Sequence, residues 1–266
     1  MTKIEIIKLA ARHTEESPLN YITEEAAIAP KYAGMRIFDA PILAFGSADD
    51  EIYLRFKSPE VIGAHFVQPI EWLLEVKTVI SFFLPYRDEI KIANAASFDL
   101  PADEWLHGRF EGQMYVQCLS TYISDLLNNA GFKSLVPASD PRFGYGGGIF
   151  TSNWSERHAA FACGLGTFGL SKGIITEKGT CGRIGSVITT LDLPKDERAY
   201  EGVYEYCATC GACAANCPAN AITLAEGKDH ALCSDFLEMT RERFDPRYGC
   251  GKCQVKVPCE SGIPIK

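Results

Sequence analysis

Cysteine thiols are the most chemically distinctive groups in this 266-residue chain, because eight of its eleven cysteines lie within residues 207–266. The first run spaces its thiols as C-x2-C-x2-C-x3-C followed by proline, at Cys207, Cys210, Cys213, Cys217 and Pro218. In iron-sulfur proteins with this spacing, three thiolates hold one cluster and the cysteine before proline ligates another. The remaining thiols of the region are Cys233, Cys250, Cys253 and Cys259.

The spacing predicts two [4Fe-4S] clusters, each held by four thiolates. The predicted ligands of the first cluster are Cys207, Cys210, Cys213 and Cys259. The predicted ligands of the second cluster are Cys217, Cys233, Cys250 and Cys253. The sequence around Cys259 is irregular, since Pro258 precedes it rather than follows it. Zinc sites also use C-x2-C pairs, and a disulfide framework is a further alternative, but three thiols at two-residue gaps before Cys-Pro favour iron-sulfur.

A second informative segment, residues 155–172, combines a short predicted helix with several glycines. Ser155 can cap the helix and Gly164 can end it. The helix carries the small residues Ala159, Ala160 and Ala162, which predict room for a large group beside it. The glycines that match G-x-G-x-x-G are Gly164, Gly166 and Gly169. A dinucleotide fingerprint must follow a strand and open a helix, so a match that follows a helix does not indicate dinucleotide binding.

A glycine-rich loop precedes this helix at residues 144–148, which read Gly-Tyr-Gly-Gly-Gly. Glycine permits close approach of a ligand to the backbone, so the loop is a candidate ligand contact. A flexible surface turn is an equally good interpretation.

Regular elements on both sides of these segments predict the scaffold that positions them. Hydrophobic periodicity predicts helices at residues 2–16 and 112–129, and strands at 75–84, 133–137, 174–176 and 183–191, the last two joined by a turn at Lys178 and Gly179. Residues 192–202 are polar and contain Pro194, as expected of a linker. We therefore predict an α+β fold with two domains, residues 1–200 and residues 201–266.

Composition limits the classes of partner that the chain can have. Its formal net charge is -8, and residues 201–266 carry seven Lys and Arg against nine Asp and Glu. An acidic chain is not expected to bind nucleic acid, although it suits a basic electron donor. No apolar run is long enough to span a bilayer, and the N-terminus lacks the features of a signal peptide. We expect a soluble cytoplasmic protein without a membrane partner, whose oligomeric state the sequence leaves open.

Three features together resemble one known family. They are Ser-Glu-Arg-His-Ala-Ala-Phe-Ala-Cys-Gly-Leu-Gly-Thr-Phe-Gly at residues 155–169, Gly-Ser-Val-Ile-Thr-Thr at 185–190, and the two cysteine runs that follow. In this order they are similar to the epoxyqueuosine reductase and reductive dehalogenase superfamily, over roughly residues 75–260.

The resemblance implies a nitroreductase-like N-terminal domain that holds cobalamin or another corrinoid, and a bacterial-ferredoxin-like domain that feeds it electrons. It implies that the corrinoid is bordered by Arg157, Gly164, Leu165, Gly166, Thr167, Phe168 and Gly169. It also implies a low-potential donor, ferredoxin or flavodoxin, and reductive chemistry on a small-molecule substrate under low oxygen.

Several features depart from the family pattern. Epoxyqueuosine reductases carry an acidic proton donor shortly before the Glu-Arg pair, whereas residues 150–155 contain no carboxylate. The sequence given lacks the C-terminal helical repeat domain of long members, the basic face for tRNA and the twin-arginine leader of respiratory dehalogenases. It also lacks an Asp-x-His-x-x-Gly run, so a bound corrinoid is expected to be base-off. We expect a short, soluble member of the superfamily, whose substrate need not be epoxyqueuosine or an organohalide.

For proton delivery the candidates are His158 and Tyr145, because each flanks the expected pocket and can donate a proton. His158 can equally be a hydrogen-bonded structural histidine. Glu156 and Arg157 either pair with each other or anchor polar groups of the cofactor. Two other functions keep the clusters: an electron-transfer or activator protein without its own substrate, and a reductase that holds a flavin instead.

Overall fold

The computed structural model describes residues 1–146 and 150–265. Its helices are α1 (Lys3–Glu16), α2 (Ile52–Arg55), α3 (Pro69–Trp72), α4 (Asp88–Ala96), α5 (Asp103–Asn129), α6 (Glu156–Cys163), α7 (Ala212–Ala215) and α8 (His230–Phe244). Its strands are β1 (Ile42–Ser47), β2 (Thr78–Pro85), β3 (Ser134–Leu135), β4 (Gly166–Phe168), β5 (Ile174–Thr176), β6 (Gly182–Thr189), β7 (Ile222–Thr223) and β8 (Gly227–Lys228). Gly147 and Gly148 of the predicted glycine loop lie outside the described residues.

A four-stranded antiparallel sheet in the order β1-β2-β6-β3 forms the centre of the fold. The central pair of strands runs from Thr78 opposite Thr189 to Pro85 opposite Gly182. Every residue of β2 is buried, as expected of an apolar strand covered on both faces. The prediction of a buried central strand at residues 75–84 is therefore confirmed.

The two faces of the sheet pack against different helices, because alternate side chains of a strand point to opposite faces. On β2, Ile80 and Phe82 belong to a core that includes α1 and α5 residues, whereas Val79 and Phe83 belong to a core that includes α6. The result is a mixed α/β arrangement in which α6, at the start of the segment singled out above, lies directly on the sheet.

Helix α5 begins at Asp103 rather than at the predicted Gly112. The sequence misleads here because glycine inside a helix is normally unfavourable. In this helix, however, a Cβ on Gly108 would lie 2.8 Å from the ring of Tyr86, and one on Gly112 would lie 2.9 Å from the ring of Phe38. Both glycines therefore allow close packing of α5.

The predicted strands at 174–176 and 183–191 both form, but they lie in different sheets. Strand β5 pairs with β4, whereas β6 joins the central sheet. The turn between them contacts the C-terminal segment, since the amide of Thr180 donates to the carbonyl of Cys259 at 2.9 Å.

The cysteine-rich region is fastened to the rest of the chain by buried polar contacts. The ammonium of Lys252 donates to the carbonyls of Asn94 and Ser97 at 2.7 and 2.8 Å, and Arg247 pairs with Glu111. The division of the chain at residue 200 into two domains stays a prediction. No helix in the described ranges is both long and apolar enough to cross a membrane.

Candidate functional site

The four thiols predicted to hold the first cluster line one cavity. It has a volume of about 20 Å³ and is lined by Cys207, Cys210, Cys213 and Cys259 together with Gly169, Leu170 and Ser171. Gly211, at φ 75, turns the chain into α7, which carries Cys213. The cavity therefore lies between the cysteine-rich region and the end of the 155–172 segment.

A second cavity, of about 180 Å³, collects the other predicted set, Cys217, Cys233, Cys250 and Cys253. Helix α8 carries Cys233 and is capped by Asp229, whose carboxylate accepts from two amides at 2.8 and 3.1 Å. Between Cys250 and Cys253, Gly251 has φ 68, and a Cβ there would lie 1.9 Å from the indole of Trp105. Only glycine suits this turn, which presents both thiols to the cavity.

Electrostatic interactions between the thiols follow the same grouping. Burial raises the pKa of Cys259 to about 12, and the next largest causes are Cys213 and Cys207. Burial likewise raises the pKa of Cys250 to about 12, with further contributions from the thiols of the second set. Cys213 is the exception, since after burial the largest cause of its raised pKa is Cys253 of the second set, ahead of Cys207 and Cys210. The two sets therefore adjoin.

Within the described part of the chain, no group of three or more His, Cys, Asp or Glu is arranged to hold a single metal ion. The thiolates of a four-iron cube each bind a different iron, so their sulfurs stand farther apart than ligands of one ion. The absence of a single-ion arrangement among the described residues is therefore no objection to clusters.

The two cavities differ in charge. Among the described residues, those lining the first cavity carry no charged side chain, whereas Arg109, Arg183 and Lys228 line the second. Arg109 donates to the hydroxyl of Tyr248 at 2.9 Å. Arg183 donates to Gln113, but its Nε is buried without a hydrogen-bond partner. Burial, followed by the charge of Arg109, lowers the pKa of Arg183 to about 10, so the guanidinium remains charged at neutral pH.

Helix α6 has the limits that the sequence predicts. Ser155 is its N-cap, and Gly164, at φ 91, is its C-cap. The small residues Ala159, Ala160 and Ala162 are buried in the core that includes β1 and β2 residues. The space that they leave is thus used by the protein's own sheet.

The residues predicted to border a corrinoid have structural contacts of their own. A Cβ on Gly166 would lie 2.1 Å from the carbonyl oxygen of Ile175, so glycine is required there by strand pairing. The hydroxyl of Thr167 accepts from the amide of Tyr206 at 2.9 Å. Leu165 and Phe168 are buried in the same core as α6, and Gly169 lines the first cavity. Their contact with a corrinoid stays a prediction.

His158 and Tyr145 lie in contrasting surroundings. The imidazole of His158 lies between the rings of Phe56 and Phe168, each at 5.0 Å, and its Nδ1 is 2.8 Å from the hydroxyl of Ser155. Burial, followed by the charge of Arg157, lowers its pKa to about 4. This histidine is therefore neutral at pH 7, in agreement with the structural interpretation. Tyr145 is 72% exposed.

Glu156 and Arg157 do not pair with each other. Arg157 donates to the carbonyl of Lys172 at 2.8 Å, whereas the carboxyl of Glu156 faces Ser186 and Trp154, which act to lower its pKa against the larger effect of burial. Neighbouring residues of a helix point in different directions, which is the physical reason that the pairing alternative is wrong.

Sequence reasoning missed a set of buried polar atoms near the start of α6. Among the described residues, Glu156 Oε2, Thr151 Oγ1 and His65 Nε2 are buried without a hydrogen-bond partner. Such atoms are costly unless a ligand or water satisfies them. Burial raises the pKa of Glu156 to about 7. The only sequence signal was the position of Glu156 in the first turn of the helix.

The stability of the protein should fall as pH rises through 7. The folded protein holds the Glu156 proton up to about pH 7, whereas an unfolded glutamate loses it near pH 4.3. The stabilising effect is therefore complete in acid and is lost as the buried carboxyl ionises. We expect the free energy of unfolding to decrease by about 1 kcal/mol between pH 6 and 8.

Chemical denaturation at pH 6, 7 and 8 under anaerobic conditions measures this slope. Glu156→Gln should flatten it, while the exposed control Glu177→Gln should leave it as in the wild type. An equal slope in wild type and Glu156→Gln would contradict the assignment.

The sequence matches no model of a known protein family and no curated protein sequence. Its fold, however, is similar to solved structures of two kinds of reductase. Epoxyqueuosine reductase from Streptococcus thermophilus is 16% identical, with a TM-score of 0.54 over 99% of this chain and 68% of the other. An epoxyqueuosine reductase solved with an epoxyqueuosine-modified tRNA stem loop is 20% identical, with a TM-score of 0.53 over 85% of this chain and 63% of the other.

The catabolic reductive dehalogenase NpRdhA, solved with 3-bromo-4-hydroxybenzoic acid, is 14% identical, with a TM-score of 0.57 over 98% of this chain and 36% of the other. The chain thus spans about 63% of the length of the first epoxyqueuosine reductases that it matches. At these identities the likeness is one of fold. The chain has the fold of epoxyqueuosine reductases and reductive dehalogenases, and the resemblance inferred from the sequence is confirmed at that level.

Proposed function

We propose that this chain is an iron-sulfur, corrinoid-dependent reductase that acts on a small molecule. The observation that carries the proposal is the sorting of eight thiols into two sets of four around adjoining cavities, one of which is also lined by residues 169–171. A fold shared with two kinds of reductase supports the same class of function.

The thiols fit two [4Fe-4S] clusters in number and grouping. Such clusters supply single electrons at low potential. Burial raises the pKa of the Cys250 thiol to about 12, so cluster binding would release its proton and stabilise the surrounding loops. In this proposal residues 1–200 form a nitroreductase-like domain, and residues 201–266 form a ferredoxin-like domain that receives electrons from a ferredoxin or flavodoxin.

The surroundings of α6 fit a polar cofactor or substrate, because they contain the unpartnered atoms Glu156 Oε2, Thr151 Oγ1 and His65 Nε2. A corrinoid supplies a cobalt that becomes strongly nucleophilic when reduced. Glu156 takes the place of the missing carboxylate before the helix as the group that holds a proton. With a pKa of about 7, it is about half protonated at neutral pH and can both hold and release that proton.

The substrate is a small molecule in this proposal, and the protein acts in the cytoplasm. The epoxyqueuosine reductase that binds a tRNA stem loop makes RNA a partner to test, although the net charge of -8 disfavours it. Titration with a tRNA stem loop at low salt, followed by its displacement at higher salt, would reveal such binding.

Metal and cofactor analysis of anaerobically purified protein tests the proposal. We expect about eight irons and eight sulfides per chain, and a visible spectrum of added cobalamin that changes to the base-off form. If the protein holds eight irons but binds no cobalamin, the proposed function changes from a corrinoid-dependent reductase to an electron-transfer protein. Yellow flavin absorption would favour the flavin-dependent reductase.

A further inference from the structure

Four basic side chains from separate segments lie near one another where α6 meets the cysteine-rich region. They are Arg157 on α6, Lys172 in the turn after β4, Lys228 on β8 and His230 at the start of α8. Arg157 donates to the carbonyl of Lys172 at 2.8 Å, and the Lys172 ammonium lies 3.4 Å from the place that a Cβ on Gly227, next to Lys228, would take. Burial lowers the pKa of His230, and the next causes in order are the charges of Arg157, Lys228 and Lys172. All three cations therefore act on the same imidazole. We call these four residues the basic site.

The positive charge of the basic site is not neutralised by the protein. Within residues 1–146 and 150–265, no ion pair joins Arg157, Lys172 or Lys228 to a carboxylate. The carboxylate of Asp229 acts on His230 in the opposite sense to these cations, and its Oδ1 already accepts two amide hydrogen bonds as the cap of α8. Three cations without a carboxylate partner among the described residues are unexpected in a chain of net charge -8.

The arrangement of the basic site is held in place. The Lys172 ammonium donates to the hydroxyl of Tyr204 at 2.8 Å, and its carbonyl accepts from Arg157. Lys172 has φ 61, a left-handed backbone conformation that favours glycine over other residues. A lysine therefore occupies a backbone position that glycine would adopt with less strain.

We propose that the basic site binds the carboxylate or phosphate group of a small molecule. Several cations attract such an anion together, and ammonium and guanidinium groups make its strongest hydrogen bonds. The ring of Phe150 stacks on His230 at 5.8 Å, so the site borders the segment that leads into α6. If the anion is part of a substrate, the inference rests on the proposed function. It then specifies that the substrate carries a carboxylate or phosphate group.

Two sources of this anion are chemically equivalent: a free organic acid or phosphate ester, and the phosphate in the nucleotide tail of a corrinoid. A different role for the charges is to balance the thiolates, since Lys228 lowers the pKa of Cys253 against the larger effect of burial. That role requires no external anion, so binding of an anion distinguishes it from the proposal.

Calorimetric titration of the full, anaerobically purified protein with inorganic phosphate at low ionic strength tests the proposal. We expect saturable binding of one phosphate per chain. Loss of one charged hydrogen bond should weaken this binding about tenfold or more, in both Lys172→Gln and Lys228→Gln. The exposed lysine variant Lys195→Gln is the matched control and should bind as the wild type does.

Iron analysis shows whether each variant keeps its fold. Because Lys228 lies beside the second set of thiols, Lys172→Gln decides the outcome if Lys228→Gln loses iron. If cobalamin blocks phosphate but cobinamide, which lacks the nucleotide phosphate, does not, the anion belongs to the cofactor. If neither blocks it, the anion belongs to a free acid.

Absence of saturable phosphate binding, or equal affinity in the wild type and Lys172→Gln, would overturn the basic site as an anion site. Phosphate binding without any corrinoid binding would support the basic site as an anion site and would contradict the proposed corrinoid cofactor.

Discussion

Cys253→Ala should lower the iron content of the protein from about eight to about four irons per chain, since each set of four thiolates holds one cluster. Cys253 lines the second cavity, two residues after the turn at Gly251. Removal of its thiolate leaves three ligands for that cluster, while the four thiols of the first cavity are unchanged. Iron and sulfide analysis of anaerobically purified protein measures the effect.

Cys210→Ala is the corresponding test for the first cluster, because Cys210 lines the first cavity. It should also leave about four irons, and the double variant should leave none. Cys118→Ala is the matched control, since Cys118 lies on α5, 3.9 Å from a nitrogen of His13 and outside both sets. Eight irons in either single variant would refute its ligand assignment.

The loss should also weaken the attachment of the cysteine-rich region. Lys252 lies between Cys250 and Cys253 in the sequence and donates to Asn94 and Ser97 from a buried position. Loops that fold around a metal lose that support with it. We therefore expect limited proteolysis to cut Cys253→Ala faster than Cys118→Ala within residues 245–260.

Local patterns in the sequence predicted the parts of the structure that depend on near neighbours. Ser155 and Gly164 bound α6 as expected because a cap requires only a hydroxyl and a backbone that turns. The cysteine spacing likewise indicated which thiols would share a cavity, Cys259 included, since loop lengths set which thiols can meet. That these thiols hold clusters stays a prediction.

The charges around the site could not be predicted, because residues far apart in sequence bring them together. Arg109 on α5, Arg183 on β6 and Lys228 on β8 meet only when the sheet, the helix and the cysteine-rich region are packed. The sequence failed to predict the start of α5 at Asp103 for a similar reason. Gly108 and Gly112 look like helix breakers until Tyr86 and Phe38 are placed against them.

The unequal charge of the two cavities predicts unequal reduction potentials. Reduction adds a negative charge to a cluster, and nearby cations stabilise that charge, which raises the potential. The cavity of the second set has Arg109, Arg183 and Lys228 in its lining, whereas the lining of the first has no charged side chain among the described residues. We therefore expect the second cluster to have the higher potential and to accept the electron first.

Arg183→Gln should lower the potential of that cluster alone. A unit charge about 10 Å away contributes on the order of 1–2 kcal/mol at an effective dielectric constant of about 20, which corresponds to roughly 50–100 mV for a one-electron couple. A redox titration followed by electron paramagnetic resonance measures both clusters in one sample. The Cys253→Ala protein identifies the signal of the first cluster.

Arg183→Lys separates the effect of charge from that of packing. It should keep the potential near the wild-type value, because it retains the charge while it loses the guanidinium contact with Gln113. Arg109→Gln should act in the same direction as Arg183→Gln, and it replaces that variant if the loss of Arg183 prevents folding. Arg12→Gln, which removes an exposed arginine of α1, should change neither cluster. An equal shift of both clusters, or none in Arg183→Gln and Arg109→Gln, would show that these arginines serve packing rather than the direction of electron flow.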